Sequence, residues 1–240
     1  MLPIIIHSQP TPVTCGPTSL HAIYRYYGDD ITLAQVIEEM AYLPGGGTLA
    51  VLLASHALSR GYQAKIYTYN LNVFDPTWFP SKGPADPSLL ILKLNQQKKV
   101  KKSLRLQKAS DAYIHFLTTG GEIYFEDLTP RLLSKFFRKQ VPILTGLSAT
   151  YLYRGARECA PDDQTSEYDD IAGVASGHFV VLCGYDEDNN QVIVADPYLY
   201  PNSPEFQNQY YSVKMHRLMN AIMLGILTYD ANFLVIEKPA

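Results

Sequence analysis

Cys15 stands immediately before Gly16-Pro17, at the start of a periodic apolar run (Leu20, Ile23, Tyr24, Tyr27) that closes at Gly28. A proline in the first turn gives up no donor that the helix needs, so the stretch is predicted as a helix with the cysteine at its N-terminus. Helix N-termini present unpaired N–H groups and the positive end of the macrodipole, an environment that favours a thiolate and hence a sulfur nucleophile. The ordinary alternative is a structural cysteine packed as a small apolar residue. The rest of the chain bears on the choice.

Far downstream, Ser176-Gly177-His178 opens the apolar run Phe179 to Tyr185, a polar stretch follows from Asp186 to Asn190, and the chain returns through Gln191 to Ala195 and on to Asp196-Pro197. This pattern predicts a hairpin. A turn centred on Asp188 sets His178 opposite Tyr198 and Asp196 opposite Val180, so His178 and Asp196 become diagonal neighbours on one face. A slip of one residue would put them on opposite faces. A carboxylate beside an imidazole fixes its tautomer and stabilises its cation, and that cation can keep a nearby cysteine as thiolate. Gln9 stands six residues before Cys15 on a segment stiffened by Pro10 and Pro12. Its amide, next to the Cys15 N–H, can donate to a developing oxyanion.

In this order the residues resemble a known family. Gln9, then Cys15-Gly16-Pro17-Thr18-Ser19, then Gly177-His178-Phe179-Val180-Val181 with Gly184-Tyr185-Asp186, then Ala195-Asp196-Pro197 look like papain-like cysteine peptidases. Within them the sequence is most similar to the bacteriocin-leader-processing branch, which cleaves after a double glycine, and to its stand-alone bacterial relatives. The resemblance implies Gln9 as oxyanion donor, Cys15 as nucleophile, His178 as general base and Asp196 as the carboxylate that orients it. It implies a hydrolase acting on a peptide or isopeptide bond, without a cofactor. An acyltransferase using the same thiol and a non-catalytic peptide-binding module of the same fold are the alternatives.

The elements that must hold these residues follow from the patterning. Thr32 and Gln35 read as a capping box for a second helix, and a third runs from Thr48 to about Arg60 before Gly61. Tyr62 to Tyr69 alternates like a strand, and helical patterns follow at Leu89 to Leu94, around Ala112 to Leu117 and after Thr129-Pro130. Val141 to Leu147, Phe179 to Tyr185 and Val192 to Ala195 are continuous apolar runs, as strands buried on both faces require. A helix from about Met215 to Leu227 and a strand from Asn232 to Glu237 end the chain. Helices first and strands later predict an α+β fold of the papain-like kind, its N-terminal helix carrying the nucleophile against an antiparallel sheet carrying His and Asp. One domain over 1–240 is expected, with a lid or surface insertion at 154–176 rich in Asp and Glu.

Composition excludes several classes. Of the 240 residues 47% are hydrophobic and 18% charged, with a net charge of -3, which fits neither a disordered chain nor a nucleic-acid binder. Three cysteines, Cys15, Cys159 and Cys183, make no disulfide framework and point to a reducing, cytoplasmic setting. The apolar run from Ala221 to Leu227 is far shorter than a membrane span, so no membrane insertion is expected. The histidines show no metal-ligand spacing, and Asp186 to Pro197 lacks the glycine and glutamate of a calcium loop. Lys98, Lys99, Lys101, Lys102, Arg105 and Lys108 read as a solvated helix face. Tyr198 and Tyr200 are candidates for lining a substrate groove, and the expected partner is a peptide or protein substrate.

Overall fold

The computed structural model describes residues 1–43, 47–159, 167–200 and 204–239. Helix α1 (Cys15–Tyr26) buries every residue from Gly16 to Tyr24. The expected capping box opens α2 (Leu33–Glu39): the Thr32 side chain accepts from Gln35 N, and Gln35 Oε1 accepts from Thr32 N. Helix α3 (Ala50–Ser59) stops where Gly61 takes a φ of +84°, a conformation open to glycine without steric cost. Strand β1 (Gln63–Thr68) follows, then α4 (Pro87–Val100), α5 (Leu104–Thr118) and β2 (Glu122–Tyr124). Thr129 caps α6 (Pro130–Arg138) through Leu132 N, as the Thr-Pro pair predicts.

The sheet-rich half begins with β3 (Ile143–Ser148) and the short α7 (Ala149–Tyr153). Two-residue strands β4 (Glu158–Cys159) and β5 (Glu167–Tyr168) pair with each other apart from the main sheet, and Glu158 also bridges to Val174. Strands β6 (Gly177–Asp186), β7 (Gln191–Ala195) and β8 (Tyr210–Lys214) form a meander. Helix α8 (Met215–Leu224) and β9 (Asn232–Glu237) complete the chain. The predicted C-terminal helix breaks at Gly225 into a 3-10 turn, Gly225–Thr228.

The main sheet has the order β2-β1-β9-β3-β6-β7-β8 and is antiparallel except for β1 with β2. The last strand in sequence thus lies between β1 and β3 and joins the helix-rich half to the meander. Alternation along β6 divides the core. Phe179 and Val181 face the layer of α1, α3, α4 and α5, whereas Val180 and Leu182 face α6, α7 and α8. Burial on both faces is why these strands read as continuous apolar runs. This is the α+β arrangement expected from the sequence, with α1 packed on the antiparallel sheet.

The β6–β7 hairpin shows how the register is set. Next to the turn Asp186 faces Gln191 and Gly184 faces Ile193, but beyond Cys183 the pairs are Leu182 with Val194 and Val181 with Ala195. The register next to the turn is therefore one residue off the predicted one, and a bulge at Cys183 restores the predicted register toward His178. The bulged residue has a second use: Cys183 O accepts from Leu2 N at 2.6 Å, and bare Gly184 leaves room for Met1. Leu2, Ile4 and Ile6 are buried in alternation, so the N-terminal segment is fastened to the sheet on its way to Gln9.

The basic run departs in part from a solvated face. Lys98 pairs with Asp111, and Arg105 donates to Thr228 O at 2.8 Å with its guanidinium over the Tyr229 ring. Arg105 thereby fastens α5 to the 3-10 turn. Among the described residues no helix is long and apolar enough to cross a membrane.

Candidate active site

Cys15 is the first residue of α1, and Thr14 before it makes no side-chain cap. Pro17 has no N–H and Thr18 N donates to Thr14 O, so the N–H groups of Cys15 and Gly16 are the ones in this turn without an intrahelical partner. Gly16 is needed for packing: a Cβ there would lie 2.6 Å from Thr48 Cγ2 and 3.3 Å from Phe179 Cδ2. One turn further on, Ser19 Oγ donates to Phe179 O at 3.1 Å. That bond fixes the helix against the residue that follows His178.

His178 is buried at the start of β6, and its Nε2 lies 2.7 Å from Asp196 Oδ1. A carboxylate only accepts, so Nε2 carries the proton and Nδ1 is left on the side of the Cys15 thiol, whose nearness helps to raise the ring's pKa. Burial works against the imidazolium, but Asp196 and then Cys15 outweigh it, and the His178 pKa rises to about 10. The predicted pairing of His178 with Asp196 is thus present in the structure.

Asp196 is fully buried just past the end of β7. Besides His178, Tyr198 N donates to Oδ1 at 2.8 Å, while Tyr153 and Tyr211 donate their hydroxyls to Oδ2 at 2.7 and 2.6 Å. Burial and then the nearby carboxylate push both tyrosines well above the usual phenol range, so they stay donors. Sequence reasoning missed these two tyrosines. Tyr153 sits on the unpredicted α7 and Tyr211 on the unpredicted β8, although the alternating burial of Tyr211 and Val213 is the pattern of a half-buried strand.

Gln9 is tied to the same strand end, its N donating to Pro197 O at 2.9 Å. Its Nε2 donates to Thr11 O at 3.0 Å, which leaves the second amide hydrogen for a ligand, and its Oε1 is buried with no partner among the described residues. Gln9 and His178 line one cleft of about 300 Å³ together with Pro10, Pro12, Tyr153, Tyr198 and Glu158. Gly177 also borders it, but its bareness chiefly admits Thr228, whose Oγ1 would lie 2.6 Å from an added Cβ. Tyr198 lines the cleft as expected. Tyr200 instead stacks on Tyr153, with ring centroids 4.9 Å apart.

The other cysteines lie elsewhere. Cys183 is buried, which pushes its thiol up to about 11, and Cys159 is half-buried on β4. Of the expected insertion at 154–176, residues 160–166 lie outside the described residues. The remainder forms the β4/β5 pair, and Tyr168 reaches Tyr198 with hydroxyls 3.0 Å apart. Among the described residues no group of three His, Cys, Asp or Glu could hold a metal.

A helix-borne cysteine, a histidine and a buried carboxylate are groups that nucleophilic cysteine chemistry employs. Residues 133–217 match the Peptidase_C39 like family. The matched region spans His178, Asp196, Tyr153 and Tyr211, and Gln9 and Cys15 precede it. No curated protein matches the chain. Among solved structures, the chain is similar to a C39-like peptidase from Bacillus anthracis at 14% identity and TM-score 0.45, covering 100% of this chain and 97% of that one. It is similar also to xylellain, a cysteine protease from Xylella fastidiosa, at 11% identity and TM-score 0.45, covering 100% and 85%.

Proposed function

We propose that this protein is a cysteine peptidase that hydrolyses a peptide or isopeptide bond in a peptide or protein substrate. The observation that carries the reading is the His178–Asp196 pair, bonded at 2.7 Å, with the other ring nitrogen left for a cysteine at a helix N-terminus. In this reading the Cys15 thiolate attacks the carbonyl carbon, and the carbonyl π pair moves onto oxygen. The Cys15 N–H and the Gln9 amide receive that oxyanion. His178 then gives its Nδ1 proton to the leaving nitrogen as the C–N bond breaks, and a thioester remains. Water enters, His178 takes its proton, and the resulting hydroxide displaces the sulfur to release a carboxylic acid. Asp196 holds the ring in place and stabilises its cation throughout.

The test is alkylation of Cys15 by iodoacetamide, mapped by mass spectrometry in wild type and His178→Ala. At about pH 6 an ordinary thiol is almost wholly protonated. If His178 activates Cys15 as this reading requires, Cys15 is labelled there much faster than Cys159 in the same molecule, and His178→Ala removes the difference. Equal labelling of the two cysteines, indifferent to His178, would overturn the assignment and favour a non-catalytic binding module.

A further inference from the structure

The cleft has a side and a charge. Its lining takes in His178 and Gln9 but not Cys15, so it lies on the histidine's side of the sulfur. His178 hands its proton to the leaving nitrogen, so the segment that departs as amine occupies this side. Among the described lining residues, His178 and Glu158 are those with a formal charge, and His178 is paired with Asp196 within the site itself.

Glu158 is held in place. Its N donates to Val174 O at 3.0 Å, and its O accepts from Val174 N at 2.9 Å. Ser176 Oγ donates to Glu158 Oε1 at 2.7 Å, and the Ser176 N in turn donates to Thr150 Oγ1 at 3.0 Å. Ser176 lies two residues before His178, so the carboxylate is coupled by a short bonded path to the strand that carries the base. Bare Gly173 admits this approach, since a Cβ there would lie 2.8 Å from Glu158 N. The surroundings reinforce the sign. Glu167, Asp169 and Asp170 lie on the same strap, and Arg157 is engaged by the carbonyl oxygens of Asp170 and Ile171. The strap is bonded to the cleft wall through Tyr168 and Tyr198.

From this we infer that Glu158 is a specificity-determining residue that selects a basic side chain, Lys or Arg, on the leaving-group side of the scissile bond. The inference rests on the peptidase reading for its orientation, and its test separates the two. Internally quenched peptides share one acyl half and carry Lys, Arg, Ala or Glu at the two positions after the cleaved bond. Wild type is expected to favour Lys or Arg over Glu by about tenfold in kcat/KM, less at high salt. Glu158→Gln brings the ratio toward one, and Glu158→Lys reverses it. Cleavage without charge preference, or a preference that survives Glu158→Gln, overturns the subsite and leaves the peptidase reading standing. If no peptide is cleaved, fluorescence anisotropy of the same peptides on Cys15→Ala decides. Tighter binding of basic peptides that is lost with Glu158→Gln supports the subsite while the hydrolase reading falls, and equal binding of basic and acidic peptides overturns the subsite.

Discussion

A buried carboxylate is costly unless its lone pairs are bonded, and Asp196 meets that cost with four donors. His178 and Tyr198 N serve Oδ1, while Tyr153 and Tyr211 serve Oδ2. A hydrogen bond to a charged group contributes about 1.5–3 kcal/mol. Tyr211→Phe is therefore expected to lower unfolding stability by about 1.5–3 kcal/mol, read as a fall in the urea midpoint with an unchanged slope. The double variant with Tyr153→Phe should lose more than the two single changes together, because Oδ2 is then left with no side-chain donor in a dry site. A loss under 0.5 kcal/mol for Tyr211→Phe, taken as about the scatter of surface changes, would show that the carboxylate does not depend on it. Cys15, His178, Asp196 and Gln9 were legible because each lies beside a local signal: a Gly-Pro helix start, a strand start, a strand end, a pair of prolines. Tyr153 and Tyr211 lacked such a signal, since a tyrosine's partner is chosen by tertiary contacts that sequence spacing does not report.

At the scale of elements, the site depends on how closely α1 lies against β6. Gly16 faces Thr48 and Phe179, and Ser19 bonds the backbone of Phe179. Gly16→Ala would press a methyl to 2.6 Å from Thr48 Cγ2. Overpacking of this kind costs about 1–3 kcal/mol and shifts backbone, here at the turn that carries the nucleophile. The expected result is lower stability together with slower alkylation of Cys15. Adding Thr48→Ser removes the Cγ2 and should restore both; failure of the rescue would place the damage elsewhere. The helices were legible where caps announced them, as at Thr32 with Gln35 and at Thr129-Pro130. Strand β2 has three residues and α7 five, too few for a period to show. The bulge at Cys183 was hidden as well, because it depends on a carbonyl turned toward Leu2, a partner about 180 residues away along the chain.

At the scale of the whole molecule, two buried groups, Asp230 and His178, favour the folded state at low pH, and the buried His21 and His56, whose pKa values burial lowers, act against them. Asp230 precedes β9 and accepts from Ala50 N at 3.1 Å, joining the start of α3 to the sheet beside Gly146. Burial raises its pKa from 3.8 to about 7, and the bond from Ala50 only partly offsets this. The folded state therefore binds a proton that the unfolded state has lost. The contribution of Asp230 is full below about pH 4, declines as pH rises, and is gone above about pH 7, a loss of about 4 kcal/mol. His178 is raised from 6.5 to about 10 by Asp196 and Cys15 against the effect of burial. Its contribution is full below about pH 6.5 and is lost as pH climbs through 10. Asp230 and His178 thus contribute two falling stages as pH rises, the first set against a rise from His21 and His56 that is complete above about pH 6.5. Asp230→Asn keeps an acceptor for Ala50 N and removes the titration, so between pH 4 and 7 the stability of this variant relative to wild type, read from urea unfolding, should shift in the variant's favour by about 4 kcal/mol. The same variant should leave the decline between pH 7 and 10 in place, because His178 and its carboxylate are untouched. A difference between variant and wild type that stays constant from pH 4 to 7 would show that Asp230 is ionised in the folded protein without penalty.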